Sequence, residues 1–449
     1  MNPITILAPT GSLGYGFDPE ALDRAMALKP AAITVDAGST DPGPHYLGSG
    51  EMLVPRVAVE RELEQCLRHA MRNRIPLVVG SCGASGSNPG VAWTREIVLD
   101  LAKKNKWHFK LATISAEVPA DVVVAGLRSG RLIDFEAGSL PTEDEIRTSS
   151  RIVAQMGPEP IIKALKEGAQ VVLAGRACDD AVVAALPLHL GYDPGLALHM
   201  GKILECGALC AEPMSMDVMV GTLDQDGFVV EPGRLSQRCT VASVAGHSLY
   251  EREDPYRQRG PGHLIDMTQT KFDQVDNRRV KVSGTRYTEE KPYRVKLEGA
   301  RLIGYRSICI AGVRCPTMIS RLDEILAANR AYVEDYFKTN EPYHLTFHTY
   351  GRDAVMGELE PNKGKPAHEL GLVTEVVAPS QELAHAVCHI ATGKLLHQPF
   401  EGIKNNAGSL AFLYSPSDTD MGAAYEFSVY HLLEVDDECA LFPIKMEMV

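Results

Sequence analysis

Over its first 212 residues, the chain alternates short β-branched runs with stretches of helical apolar spacing. This alternation constrains the fold more than any other feature, because parallel strands need a crossover helix between them. The predicted strands are 4–8, 31–35, 77–80, 109–114, 132–135 and 170–174, and the predicted helices are 19–28, 57–74, 94–104, 120–129, 143–155 and 158–167. The pattern favours an α/β domain with a doubly wound, mostly parallel sheet of about six strands over an eight-repeat barrel.

The second half has a different texture. Residues 218–230 read as a β-hairpin around an Asp-Gly turn, and later strand-like runs surround helices at 318–338 and 380–396. These patterns predict a first domain over 1–212 and a mixed α+β second domain over 213–449. The second domain includes an arm at about 240–281 that is rich in Pro, Gly and Arg.

Composition narrows the class of protein. The chain of 449 residues carries 45 Lys and Arg against 58 Asp and Glu, a formal net charge of −13. This balance argues against nucleic acid or an anionic membrane as a partner, and the sequence contains neither a signal-like start nor an apolar run long enough for a membrane span. Ten cysteines without Cys-x-x-Cys spacing indicate reduced thiols and a cytoplasmic location.

The loop after the third predicted strand is the strongest single signal. In an open parallel sheet, ligands bind beyond the carboxyl ends of the strands. The loop 80–87 interleaves glycines with hydroxyls, so Ser81, Gly83, Ala84 and Ser85 are candidates for binding an anion through backbone N–H groups. A turn that merely needs positive φ is the alternative. Cys82 in the same loop is either a nucleophile or an inert buried thiol.

Carboxylates also follow the predicted strands. Glu117 and Asp36 are the candidate catalytic bases, since partial burial would raise their pKa towards the working range. Arg176 and Asp179 are candidates for substrate binding, with Arg176 forming a bidentate fork on a substrate carboxylate. The alternative is that Arg176 and its neighbouring aspartates pair with one another.

Weaker patterns complete the set of candidates. Gly14 lies in a Gly-x-x-Gly-x-Gly turn that reverses the dinucleotide-binding order, so a tight turn beside the ligand is favoured over a nicotinamide site. Ser39 follows the second predicted strand and is a further anion-binding candidate. The spacings His344/His348 and His385/His389 resemble zinc ligands but lack the zincin glutamate. The sequence therefore predicts neither a cofactor nor a metal.

The arm at 240–281 concentrates positive charge. One interpretation is a set of surface ion pairs; the other is a flap that brings His247, Tyr250 and arginines to an acidic substrate. The arginines concerned are Arg252, Arg257, Arg259, Arg278 and Arg279.

Several segments together resemble the acyclic terpene utilisation (AtuA-like) family. The segments that carry the resemblance are Gly14-Tyr15-Gly16, Asp36-Ala37-Gly38-Ser39, Gly80–Gly86, Gly175-Arg176-Ala177-Cys178-Asp179, His247-Ser248-Leu249-Tyr250 and Lys296-Leu297-Glu298-Gly299-Ala300. The resemblance implies an enzyme of branched or terpenoid acid and thioester catabolism. Longer members carry an additional small ferredoxin-like domain at the C-terminus; if that domain completes the site, a separate small subunit is expected to replace it. A homo-oligomer is also expected.

Three functional hypotheses follow. The first is a lyase or isomerase that abstracts a proton next to the carboxyl group of a small acid or its thioester, as a hydratase, dehydratase or double-bond isomerase. The second is a thiol-dependent acyl transferase or hydrolase that uses Cys82. The third is a non-catalytic binding subunit of a hetero-oligomeric enzyme.

Overall fold

The β-branched runs form the centre of an open sheet in the computed structural model, which describes residues 2–250, 254–338 and 341–449. The strands in chain order are β1 (Ile4–Ala8), β2 (Ala32–Asp36), β3 (Leu77–Gly80), β4 (Lys110–Ile114), β5 (Leu132–Asp134), β6 (Ser149–Ala154), β7 (Val171–Ala174), β8 (Met219–Leu223), β9 (Phe228–Pro232), β10 (Arg257–Gly260), β11 (His263–Asp266), β12 (Lys271–Gln274), β13 (Val280–Ser283), β14 (Arg286–Glu289), β15 (Tyr293–Val313), β16 (His344–Tyr350), β17 (Leu370–Ala378), β18 (Ala411–Phe412), β19 (Asp418–Val435) and β20 (Ile444–Met448).

Helices occupy most of the predicted crossover positions. In chain order they are α1 (Pro19–Met26), α2 (Pro44–Ser49), α3 (Arg56–Asn73), α4 (Asn88–Asn105), α5 (Ala120–Arg128), α6 (Glu143–Arg147), α7 (Glu159–Lys166), α8 (Asp179–His189), α9 (Pro194–Leu204), α10 (Val241–Ser248), α11 (Pro316–Ser320), α12 (Leu322–Phe337) and α13 (Gln381–Leu396).

The main sheet has ten strands in the order β12–β13–β9–β8–β1–β2–β3–β7–β4–β20. The central strands β1, β2, β3, β7 and β4 are parallel, and antiparallel strands extend both edges. The sheet is open, with β12 and β20 at its ends. The predicted α/β class with an open sheet is confirmed, but the sheet that was predicted to be mostly parallel has five parallel strands among its ten.

Alternate side chains of the central strands enter cores on opposite faces of the sheet, as strand geometry requires. On β1, Leu7 packs into the core formed with α1, α3 and α4, whereas Ile6 packs into the core formed with α8 and α9. On β7, Val172 faces a third core that includes residues of α5 and α7. Both faces are therefore covered by helices, which gives the doubly wound arrangement.

One predicted helix is wrong, and one predicted strand joins a different sheet. The predicted helix over 143–155 ends at Arg147, and residues 149–154 form β6, which pairs antiparallel with β15. The predicted strand at 132–135 becomes β5, which pairs antiparallel with β19 instead of joining the parallel sheet. Both segments take their form from partners about 140 to 300 residues further along the chain, which local periodicity cannot report.

The chain divides into two compact units, one of Met1–Arg301 with Phe427–Val449 and one of Leu302–Glu426. This division differs from the predicted boundary after residue 212, because β8 pairs with β1 and carries the later strands into the main sheet. In the second unit, β16 and β17 pair antiparallel and β17 pairs with the C-terminal part of β15. Side chains of α11, α12 and α13 pack against these strands.

Candidate active site

Two strand ends of the first unit bring the first charged groups together. Asp36 is the last residue of β2, Arg176 follows β7, and α8 begins at Asp179. β3 lies between β2 and β7, so both strand ends lie at the same edge of the parallel sheet. The first turn of α8 holds the carboxylate of Asp179, where the helix dipole favours negative charge.

Arg176 is buried, and most of its guanidinium is committed within the chain. Nε donates to Glu298 Oε2 at 2.8 Å, and Nη1 donates to the Ala177 carbonyl at 3.0 Å and to Ser81 Oγ at 3.3 Å. The predicted bidentate fork is therefore wrong, because the edge that would form it already holds Glu298. Among the described residues, Nη2 donates no hydrogen bond, so this nitrogen remains for a ligand.

Glu298, on β15, is completely buried between two cations. Its Oε2 accepts from Arg176 and its Oε1 lies 2.8 Å from Lys296 Nζ. Burial alone would raise the pKa of Glu298, but Arg176 and Lys296 outweigh it and lower the pKa to about 2. Glu298, which lies opposite Val153 of β6 in the antiparallel ladder, thus holds a negative charge beside Arg176.

Helix α9 supplies a second cation with its own carboxylate. Lys202 Nζ lies 3.0 Å from Asp179 Oδ2 and 2.8 Å from Glu205 Oε1. The two helices approach closely because a Cβ at Gly201 would lie 2.5 Å from the carbonyl oxygen of Asp180. Burial and Asp179 raise the pKa of Glu205 to about 7, although Lys202 opposes the shift.

These residues form one group, which we call the Arg176 cluster: Asp36, Arg176, Asp179, Lys202, Glu205, Lys296 and Glu298. Within it, the pKa values of the two partly exposed carboxyl groups move in opposite directions. Burial, then Asp179 and Glu205, raise the pKa of Asp36 well above its usual range. Burial also acts to raise the pKa of Asp179, but Lys202 and Arg176 lower it. Asp36 is thus shifted towards its protonated form and Asp179 towards its ionised form, as in an acid–base pair.

Tyr250 lies beside this cluster, and His247 packs on Tyr250. The Tyr250 hydroxyl is 2.9 Å from Cys206 Sγ, and the Tyr250 ring lies 5.4 Å from Lys202 Nζ and stacks on the His247 ring. Burial and Glu205 raise the pKa of Tyr250. The phenol therefore stays protonated and can donate a hydrogen bond.

The glycine loop after β3 supports Arg176 through Ser81. The N–H groups of Ser81 and Cys82 donate to the carbonyls of Gly175 and Ala174, and Ser81 Oγ accepts from Arg176. Gly83, Ala84 and Ser85 are buried. Positive φ at Ser81 and Ala84 shows that the loop is a tightly packed turn. The N–H group of Ser81 is therefore not free to bind an anion, and this prediction is wrong. The burial of Gly83, Ala84 and Ser85 does not support anion binding by these three residues.

Cys82 is also unsuited to nucleophilic attack. Its side chain is fully buried, and burial raises the pKa of its thiol to about 12. Reactive cysteines need a lowered pKa and access to solvent. The structure contradicts the nucleophile interpretation and agrees with an inert buried thiol.

The turn that contains Gly14 does bind an anion, but the anion belongs to the chain. Gly14 N–H and Gly16 N–H each donate to the buried carboxylate of Glu62 at 2.7 Å. Ser39 is likewise engaged locally, because its hydroxyl donates to Asp41 Oδ2 at 2.7 Å. Gly14 N–H is thus not open to a substrate, contrary to the prediction.

Glu117 lies in a separate group, which we call the Glu117 cluster: Asn88, Glu117 and Arg151. The Glu117 carboxylate accepts from the Asn88 backbone N–H at 2.7 Å and lies 3.7 Å from Arg151 Nε. It occupies the start of α4, where a carboxylate is a favourable partner for free N–H groups. None of these contacts joins Glu117 to the Arg176 cluster.

The described arginines of the arm all have partners on the chain. Arg257 pairs with Asp254, Arg259 with Glu290 and Arg279 with Asp276, while Arg278 donates to backbone carbonyls. Arg252 lies outside the described residues. The flap interpretation therefore loses its arginines, and the ion-pair interpretation accounts for the four that the structure describes.

Sequence reasoning missed Glu298, Lys296, Lys202 and Glu205 as site residues. A signal for each was present: Lys296 and Glu298 flank the apolar Leu297 on β15, and Lys202 and Glu205 interrupt an almost wholly apolar helical segment. Charges at positions that the pattern buries are costly unless they are paired.

The part of the chain described by the structure holds no group of three or more His, Cys, Asp and Glu side chains arranged to bind a metal ion. In the same residues, no helix is long and apolar enough to cross a membrane. A family model described as acyclic terpene utilisation family protein AtuA matches residues 56–410. No curated protein and no solved structure gives a significant match to the chain.

Proposed function

The chain belongs to the acyclic terpene utilisation family AtuA, and we propose that it is a catabolic enzyme that transfers protons next to the carboxyl group of a small acid or its thioester. The reaction class is a hydratase, a dehydratase or a double-bond isomerase. The observation that supports this proposal is the Arg176 cluster, in which Asp36 and Asp179 lie at strand ends among paired buried cations; the opposite directions of the Asp36 and Asp179 pKa shifts agree with it.

In a dehydration, the two carboxyl groups take complementary roles. The Asp179 carboxylate removes the proton from the carbon next to the substrate carbonyl, and the electron pair of that C–H bond forms the new double bond. The C–O bond to the hydroxyl group breaks, and Asp36 donates its proton so that water leaves. Asp36 ends ionised and Asp179 protonated, and exchange with solvent restores both. Hydration is the reverse of these steps.

The cations of the cluster stabilise the charge that develops on the substrate carbonyl. Lys202 lies beside Asp179, and Arg176 Nη2 is available for a substrate oxygen. Positive charge fixed in place before the reaction stabilises an enolate-like transition state more effectively than water does. Glu298 supports this arrangement because it holds Arg176 at 2.8 Å.

A deuterium-exchange panel tests the proposal. The full chain is incubated in deuterated water with unsaturated and hydroxy acids, including branched ones, and with their thioesters, and products are followed by NMR. We expect deuterium to enter next to the carbonyl of at least one compound. Asp179→Asn should abolish this exchange, because Asp179 is the base that removes this proton in the proposed reaction, and the exposed Asp41→Asn is the matched control. Absence of exchange and of any product across the panel would count against proton abstraction.

The remaining expectations about this chain stay predictions. They are a cytoplasmic location, assembly into a homo-oligomer and activity that depends on a separate small subunit. The panel is therefore run with and without a co-expressed candidate subunit.

A further inference from the structure

We infer that Glu62 is a positioning residue that serves as the resident anion of the Gly11–Gly16 turn and holds this turn against the Arg176 cluster. Glu62, on α3, is 4% exposed. Its two carboxylate oxygens each accept one backbone N–H, from Gly14 and from Gly16, at 2.7 Å. Both glycines have positive φ, which turns their N–H groups to the same side.

The turn held by Glu62 contacts the backbone of two residues at the proposed site. Leu13 N–H donates to the carbonyl of Asp36 at 3.1 Å, so the turn is tied to the residue that carries the raised pKa. On its other side, a Cβ at Gly11 would collide with the carbonyl oxygen of Cys206, and Cys206 contacts Tyr250. The turn thus lies between Asp36 and the Cys206–Tyr250 pair.

Burying the Glu62 carboxylate costs free energy, and its hydrogen bonds with the turn offset this cost. Burial raises the pKa of Glu62, while the hydrogen bonds from Gly14 and Gly16 oppose that rise. A buried carboxylate with two backbone donors is a charge-assisted contact of the stronger kind. Glu62→Ala removes Cγ and the carboxylate and leaves two aligned N–H groups beside a gap that a formate ion is small enough to enter, so added formate should take the place of the carboxylate.

Chemical rescue tests this inference. Glu62→Ala is compared with wild type, and Glu64→Ala is the matched control. Glu64 lies on the same helix, but its carboxylate contacts the side chains of Lys104 and Asn105. We expect the Gly14 and Gly16 amides of Glu62→Ala to exchange hydrogen at least about tenfold faster than in wild type. Formate should restore their protection in a saturable way, and formamide, which has a similar shape but no charge, should not.

Thermal unfolding gives a second readout that needs no substrate. Formate at about ten times its dissociation constant should lower the unfolding equilibrium constant of Glu62→Ala about tenfold, with no comparable effect on wild type or Glu64→Ala. If Glu62→Ala does not fold, Glu62→Asp replaces it. The shorter side chain should keep the protection of only one of the two amides. Equal protection of both amides in Glu62→Ala and wild type, or equal effects of formate on all three proteins, overturns the inference.

The link from Glu62 to catalysis rests on the proposed function, and the activity readout is kept separate for that reason. With a substrate identified by the exchange panel, Glu62→Ala should lose kcat and recover it with formate, whereas Glu64→Ala should not change. Rescue of amide protection without any substrate turnover would sustain the positioning role of Glu62 and count against the proposed reaction. If wild type turns over the substrate, but formate restores neither the kcat of Glu62→Ala nor the protection of its amides, the proposed reaction stands and the positioning role of Glu62 fails.

Discussion

The Arg176 cluster and the Glu117 cluster both include residues at strand ends of the main sheet, yet they differ in the burial of their charged side chains. Arg176, Lys202 and Glu298 have side chains that are 3%, 7% and 0% exposed. Glu117 and Arg151 remain about one-quarter exposed and 3.7 Å apart. Burying charged groups together costs desolvation free energy, so such groups are rare unless they have a functional or structural role. A cluster of buried charged side chains that shift one another's pKa values is therefore a stronger indicator of a site than position at a strand end.

The largest effect should separate the two clusters by activity. Asp36→Asn removes the proton that the raised pKa preserves, so we expect a loss of about 10²–10⁴-fold in kcat, the range for a general acid or base. Glu117→Gln should change kcat by no more than about threefold, a margin well below that range. Steady-state kinetics on the substrate from the exchange panel make the comparison. The comparison breaks if Glu117→Gln is the more damaged variant.

The next effect concerns stability. Glu298→Ala leaves Arg176 and Lys296 buried without their shared carboxylate, so we expect a loss of about 3–5 kcal/mol in the free energy of unfolding. Glu117→Ala removes a partly exposed pair and should cost about 1–2 kcal/mol, mostly from the contact with the start of α4. Urea unfolding followed by circular dichroism measures both. Equal losses would show that burial of the Arg176 cluster carries no special energetic weight.

A smaller effect is the pH dependence of stability within the Arg176 cluster. The pKa of Glu205 rises from 4.5 to about 7 on folding, so the folded chain binds more protons than the unfolded chain in that window. Stability of wild type relative to Glu205→Gln should therefore fall as the pH rises from about 4.5 to about 7.

Glu298 provides the opposite sign in the same measurement. Its pKa is lowered to about 2, so stability relative to Glu298→Gln should rise with pH between about 2 and 4.5. Unfolding curves at closely spaced pH values test both slopes. Slopes of the same sign for the two variants would contradict the charge arrangement described for the cluster.

Much of the fold could be predicted because its elements obey local patterns. The strands β1, β2, β3, β4 and β7 and their crossover helices follow from apolar periodicity. The segment 143–155, predicted as a helix, contains β6 because β15 pairs with it. The strand predicted at 132–135 does not join the parallel sheet because β19 pairs with it. Such pairing over long sequence distances is set by tertiary packing and not by propensity.

The site could be predicted in part for a similar reason. Asp36, Arg176 and Asp179 lie at strand ends, where a rule about parallel sheets locates them. Glu298 lies on the antiparallel strand β15 and Lys202 lies on helix α9. No local sequence rule predicts that these two residues belong to the same cluster as Arg176. Gly14 shows the converse case, since its turn has the chemistry of an anion site, but only the structure reveals that Glu62 already fills it.

The smallest effect concerns Cys82, which lies at a strand end but belongs to neither cluster. Its thiol is buried and its pKa is raised to about 12, so it is protonated at neutral pH and cannot attack a carbonyl. Cys82→Ala should keep kcat within about twofold and cost about 1 kcal/mol of stability, the common value for a point substitution. Iodoacetamide should label the exposed Cys315 in the folded chain and reach Cys82 only after unfolding. If Cys82 is labelled first, or if Cys82→Ala abolishes turnover, the strand-end loop is itself reactive and the contrast with the Arg176 cluster no longer holds.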